Sequence, residues 1–331
     1  MSNQGPRAPD TASGPTLGSS AERDSAVARR WTPHGLDNAA IFGATCYLVR
    51  VLPRSVSYGL GHLAMWLAWK LMPGSRSAVA GNLRAISSED ADHRALFTFR
   101  AYARDVIDFL RAIAAPDDEA ETAFDFPSAA RERFQAVLAE GRGMILVTGH
   151  YGNWEIGSVA VKRTLRLPIT IMAMPETSAT VTRIRREIRE RVGAETIEVR
   201  QSLETALQIR RRLGENKIVA MLIDRHIGRD RVPVTLLGRR AGFLRTPALM
   251  GLATGAPLVP CFIERSGRGR FTVRMGEVIR VSTVVPRDQA MREATQRFAD
   301  QFGERLRVHP EYWYQFYPYW DTQPDEHDEL P

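Results

Sequence analysis

The sequence predicts an α/β protein with a mostly parallel sheet flanked by helices. Two observations carry this: short apolar runs of strand length recur from residue 144 onward, and segments of helix length separate them. Parallel strands need crossovers of that length, and those crossovers cover both faces of the sheet. With 331 residues, 44% of them hydrophobic, the chain can bury a sizeable core as one large domain or two small ones.

Residues 1–35 are rich in Gly, Pro, Ser and Ala and read as a disordered leader with no secretory signal. Residues 36–75 are different. "LDNAAIFGATCYLVRVLP" and "VSYGLGHLAMWLAWKLMP" are apolar, each ends at proline, and each is interrupted by a basic residue or histidine. Neither holds the uncharged run of about 18 residues that a spanning helix needs. In the second, Val56, Leu60, Leu63 and Leu67 follow helical spacing beside Trp66 and Trp69. That suits a helix lying in a membrane interface, or one packed on the domain that follows.

Residues 76–115 read as further helices, with "YARDVIDFLRAIA" apolar at helical intervals. "RERFQAVLAEG" is a helix stopped by glycine, and the strand "MILVTG" follows. A helix from Trp154 leads to the strand "ITIMAM", an Arg-rich helix over 178–192 and the short strand "TIEV". A helix over 202–213 and the strand "IVAMLI" come next, then "RVPVTLL", the helix "TPALMGLATG" and the strand "PLVPCFIE". "FTVRMGEVI" adds an antiparallel strand, and a long helix covers 287–307. The α/β domain thus spans 76–320, and 321–331 form a polar, acidic tail.

A net charge of +7 points to an anionic partner: nucleic acid, an acidic membrane surface or a phosphorylated substrate. No nucleic-acid reading module is present in the sequence, which argues against the first. Cys46 and Cys261 stand far apart, so they form neither a disulfide framework nor a zinc set.

The chemistry centres on "MILVTGHYGNWEIGS". Ligand sites of parallel sheets lie at the carboxyl ends of strands, and His150 falls there. On one continuous helix, residues five apart point about 140° away from each other. His150 and Glu155 therefore meet only if the chain turns between them. Gly152 permits the turn, and Asn153 as N-cap puts Glu155 in the first helical turn. A carboxylate there can orient the imidazole, whose other nitrogen takes a proton from an attacking hydroxyl. The plain alternative is a loop histidine beside a glutamate that suits a helix N-terminus. No G-x-S-x-G elbow is present, so the nucleophile is the substrate.

"HYGNWE" after an apolar strand resembles the H-x-x-x-x-[D/E] motif of the lysophospholipid acyltransferase superfamily. The likeness is to the branch of the lipid A biosynthesis acyltransferases and the bacterial phosphatidylinositol mannoside acyltransferases. It covers roughly residues 40–320 through "RSAVAGNLRAI", "IRERVGAETIEV", "VAMLIDRHIG", "FLRTPALMGLATGAPLVP" and "HPEYWYQFYPYW". The resemblance implies a glycerolipid-acyltransferase-like fold with an apolar N-terminal helical segment. It also implies transfer of a fatty acyl group from an acyl carrier protein or coenzyme A thioester to a lipid hydroxyl or amine. His150 would be the base and Glu155 its orienting carboxylate, at the cytoplasmic face of an inner membrane. A thioester is already activated, so no cofactor, metal or covalent intermediate is required.

Arg183, Arg185, Arg186, Arg189 and Arg191 crowd one helix, which is either a solvated face or a binder of headgroup or carrier phosphate. By the family pattern Arg189, then Arg191, would take the phosphate. Asp224 and Arg225 end an apolar strand and are either orienters of the site, if their strand neighbours that of His150, or a structural ion pair. Arg245, at a helix start, is placed to meet a phosphate. Asp224, His226 and Asp230 suggest a metal site but lack a second nearby histidine or cysteine. The aromatic cluster at 311–320 either closes a core or borders lipid. A thioesterase using His150 and Glu155 on water, and a non-catalytic lipid-binding protein, are the alternative functions.

Overall fold

The near-continuous apolar strands end up where water is excluded on both sides, as the central strands of one sheet. The computed structural model describes residues 39–87, 90–115, 123–174, 179–199, 202–226 and 230–320. The leader and the acidic tail read from the sequence lie outside the described residues. Four helices come first: α1 (Ala39–Val51), α2 (Arg54–Leu71), α3 (Pro73–Ile86) and α4 (Ala91–Ala114). Then follow β1 (Phe124–Asp125), α5 (Ser128–Ala139), β2 (Met144–Thr148), the single turn α6 (Gly157–Val159), β3 (Ile169–Ala173), α7 (Ala179–Arg191) and β4 (Ala194–Glu198). The chain continues with α8 (Leu203–Gly214), β5 (Ile218–Leu222), β6 (Arg231–Leu236), β7 (Arg239–Leu244), α9 (Thr246–Thr254), β8 (Leu258–Gly267), β9 (Arg270–Met275) and α10 (Arg287–Val308).

Seven strands form the main sheet in the order β1-β9-β8-β2-β5-β3-β4. All neighbours in it are parallel except β8 and β9, which form the antiparallel pair that their sequence suggested. Successive side chains of β2 point to opposite faces. Ile145 and Val147 join one core with Ile209 and Leu213 of α8, Met250 of α9 and Phe298 and Phe302 of α10. Met144 and Leu146 join the other, with Ile107 and Leu110 of α4, Phe134 of α5 and Ile188 of α7.

Two elements were not read from the sequence. β1 has only two residues, and β7 pairs with β6 as a separate hairpin. Its turn, Leu237-Gly238, has positive φ at both residues, and leucine gives no hint of that. The helix expected from Trp154 starts later. Asn153 Oδ1 accepts from Ile156 N at 3.3 Å across a turn, and α6 then widens into a π-helical turn, Ala160–Thr164.

Helix α2 has two different faces. Tyr58 donates to Asp108 of α4 at 2.7 Å, and Met65 and Trp69 pack against Phe99 and its neighbours. Val56, Leu60, Leu63, Trp66, Leu67 and Leu71 are exposed. Among the described residues no helix is long and apolar enough to cross a membrane.

Candidate functional site

β2 delivers His150 to the carboxyl end of the sheet, and β5, its hydrogen-bonded neighbour, delivers Asp224 to the same place. The pairing Thr148↔Leu222 leaves each residue two positions beyond its strand end. His150 Nδ1 lies 2.7 Å from Asp224 Oδ1, and the His150 backbone N–H donates to Asp224 Oδ2 at 3.0 Å. The imidazole retains 18% of its surface, whereas Asp224 is fully buried. Gly152 makes the turn at φ +59°, and a Cβ there would fall 2.2 Å from the Ile263 carbonyl oxygen. No other residue fits this close approach at that φ. Trp154 lies edge-on to the imidazole, with ring centroids 5.3 Å apart.

Burial and the Arg225 charge push the His150 imidazole below its ordinary value, and Asp224 opposes them. For Asp224 burial alone would raise the carboxyl. The His150 charge and hydrogen bond, Arg225 and the Trp313 N–H reverse that and bring it down to about 2. Asp224 is therefore a carboxylate and can only accept, so Nδ1 carries the hydrogen in the pair. In this tautomer the lone pair sits on Nε2.

Glu155 is placed otherwise than the sequence suggested. It lies in the turn before α6, and its carboxylate accepts from Arg185 Nη1 at 3.2 Å and faces Arg189 Nη2 at 3.9 Å. It acts on His150 through its charge, while the carboxylate on Nδ1 is Asp224. Arg185 and Arg189 are four residues apart on α7, so they share the helical face that meets Glu155. Arg191 is exposed and points elsewhere, and Arg183 and Arg186 pair with Glu187 and with Glu190 and Glu198. Arg245 does precede α9, but it faces Asp230 at 3.7 Å, and Thr246 also donates to that carboxylate. Asp224 and Asp230 thus face different partners. Among the described residues, no group of three or more His, Cys, Asp or Glu is placed to hold a metal ion.

The aromatic run near the C-terminus reaches the site, which the sequence did not reveal. Trp313 Nε1 and Gln315 Nε2 both donate to Asp224 Oδ2, at 2.9 and 2.8 Å, and the Tyr319 hydroxyl donates to the Asp224 carbonyl at 2.9 Å. Arg225 Nε donates to Gln315 Oε1 at 2.8 Å and its Nη2 to the Tyr314 carbonyl at 2.8 Å. Arg225 thereby orients the stretch of chain that grips its neighbour Asp224. Trp313, Tyr314 and Tyr319 are buried, so this cluster closes a core.

Fold and site together define an α/β protein with a histidine–aspartate pair at the carboxyl edge of its sheet and an Arg-Glu-Arg cluster beside it. A family model described as bacterial lipid A biosynthesis acyltransferase matches residues 34–322, and the chain belongs to that family. The chain is also similar to phosphatidylinositol mannoside acyltransferases. It is 25% identical over 193 residues to that of Mycolicibacterium smegmatis, covering 56% of this chain and 59% of the relative. With that of Mycobacterium tuberculosis it shares 26% over 197 residues, covering 57% and 58%. The matched region thus spans less than two thirds of either relative.

Proposed function

We propose that this protein transfers a fatty acyl group from a thioester to a hydroxyl or amine of a membrane lipid, with His150 as general base and Asp224 as its orienting carboxylate. The observation that carries the reading is the 2.7 Å contact between His150 Nδ1 and Asp224, in a chain of an acyltransferase family. As the acceptor oxygen or nitrogen attacks the thioester carbonyl carbon, its proton passes to His150 Nε2. The tetrahedral intermediate collapses with cleavage of the C–S bond, and the imidazolium returns the proton to the departing sulfur. Asp224 balances the imidazolium charge during the cycle. The lowered pKa of His150 keeps it unprotonated and ready at neutral pH.

Arg185 and Arg189 fit the phosphate of the acceptor headgroup or of the donor carrier, because guanidinium groups match phosphate bidentately. The names of the relatives favour a phosphoglycolipid acceptor. The donor is an acyl carrier protein or coenzyme A thioester. The exposed apolar residues of α2, with Tyr47, Leu48 and Val51 on α1, favour action at a membrane surface, the cytoplasmic face of an inner membrane.

Acyl transfer is tested by incubating labelled acyl-coenzyme A and acyl–carrier protein with the purified chain and a bacterial lipid extract. The expected result is acyl-lipid formation that depends on the extract and on His150. Equal thioester loss without lipid, giving only free fatty acid, would make the protein a thioesterase.

A further inference from the structure

Asp224 Oδ2 accepts three hydrogen bonds, from His150 N, Trp313 Nε1 and Gln315 Nε2, which leaves Oδ1 for the His150 imidazole. A carboxylate with only its backbone contact is able to rotate and offer either oxygen at varying angles. Three donors converging on one oxygen fix that rotation. The Gln315 amide is itself fixed, since Arg225 donates to its oxygen and so turns its NH₂ toward Asp224. The buried Asp224 charge needs hydrogen-bond donors in any case, but donors spread over both oxygens would satisfy it equally well, whereas these converge on Oδ2 and leave Oδ1 to the imidazole.

The same segment is also held by α3. Asn82 of α3 is buried, and its Nδ2 donates to the Gln315 carbonyl at 3.0 Å and the Tyr317 carbonyl at 2.8 Å. Its Oδ1 accepts from Tyr319 N at 3.0 Å. Tyr314 N donates to the His150 carbonyl at 2.8 Å. From Asn82 to residues 313–319, then to Asp224 and His150, every link is a hydrogen bond between buried or half-buried groups.

We infer that Trp313 and Gln315 are positioning residues for the acyl-transfer reaction, acting on His150 through Asp224, and that Asn82 anchors the strap that carries them. The inference rests on the reading of His150 as the base. The strap sets the tautomer: with Oδ1 aimed at Nδ1, the basic lone pair stays on Nε2 in every resting molecule. Other charged or titratable groups facing this centre are Arg225, Glu155 with Arg185 and Arg189, and the hydroxyls of Tyr314, Tyr317 and Tyr319. None of them donates to Oδ2 in the hydrogen bonds described.

The test uses the full chain with Trp313→Phe, Gln315→Met and Asn82→Ala, each alone and combined with Asp224→Asn. Acyl transfer is measured as separate kcat and KM, and the His150 tautomer is read by ¹⁵N NMR, with its signal assigned through His150→Gln. Each donor serves a charged acceptor, so Trp313→Phe and Gln315→Met should each lower kcat by about 10–100-fold with KM unchanged. The single Nδ1–H tautomer of the wild type should become a mixture. In the Asp224→Asn background the same substitutions should change kcat less than about threefold, since linked residues are non-additive. Full additive losses in that background, or an unchanged tautomer in the folded variants, would overturn the inference. The wild-type spectrum tests it even without variants, because a mixed tautomer there contradicts a fixed Oδ1. Undiminished acyl transfer by His150→Ala would instead remove the reading of the base, independently of the NMR result.

Discussion

Asp224→Asn replaces one carboxylate oxygen by an NH₂ group and should invert the chemistry of His150. In the wild type Oδ2 receives three N–H donors and Oδ1 receives the imidazole. An asparagine must turn its carbonyl oxygen to the three donors, because the opposite orientation sets an NH₂ group against all of them. Its NH₂ then faces Nδ1, which accepts only when it carries no hydrogen. The hydrogen moves to Nε2, and the base is lost at the atom that needs it. A positioned base contributes about 10²–10⁴-fold, so kcat should fall by that factor. The fold should lose no more than about 3 kcal/mol, since the three donors keep an acceptor and the buried charge is removed. The assay is single-turnover transfer of a labelled acyl chain from thioester to lipid, with denaturant melts as the control for folding. Asp224→Asn within about tenfold of wild type, beside a loss of about a thousandfold in Glu155→Gln, would return the orienting role to Glu155 and refute the reasoning.

The remaining predictions use other parts of the structure. Glu155→Gln removes the charge that gathers Arg185 and Arg189, so acyl transfer should fall about tenfold, mainly through the KM of the lipid acceptor; an unchanged KM would detach these arginines from the lipid. Burial lowers the His150 pKa, so the base stays neutral down through pH 6.5, and the acid limb of kcat/KM should lie below that value. The same sign gives stability that is full above pH 6.5 and is lost as pH falls toward the folded value, because the unfolded chain takes up the proton first; a limb above about pH 7 in the rate profile would contradict it. Arg265→Met takes away the buried guanidinium that bridges Asp105 and Asp108 and leaves two buried carboxylates with only the Tyr314 and Tyr58 hydroxyls and Arg54, so it should cost about 3–5 kcal/mol in denaturant melts. Leu60, Leu63 and Leu67 changed together to aspartate should abolish sedimentation with anionic vesicles yet spare the melting temperature, since all three side chains are exposed.

Much of the framework was legible because it depends on local rules. Short, near-continuous apolar runs mark β2, β3 and β5, and glycine marks the turn after His150 because a Cβ at residue 152 has no room. The spacing of Arg185 and Arg189 places them on one face of α7. The helix expected at Trp154 starts later because asparagine caps a turn as readily as a helix, and only packing decides which follows.

The partner of His150 was a different matter. Glu155 is five residues away and Asp224 is 74, and the glycine turn together with the H-x-x-x-x-E spacing favoured Glu155, whereas Nδ1 meets Asp224. The sequence by itself determined the strand that ends at His150, the glycine turn beyond it and the strand that ends at Asp224. Only the tertiary structure decided that β2 and β5 are neighbours, that α7 draws Glu155 toward its arginines, and that Trp313 and Gln315 close over Asp224. The physical reason is that local pattern fixes which face of an element is buried, whereas the order of strands in a sheet follows from how all the crossovers pack at once. A buried carboxylate takes its donors from whatever that packing brings within about 3 Å.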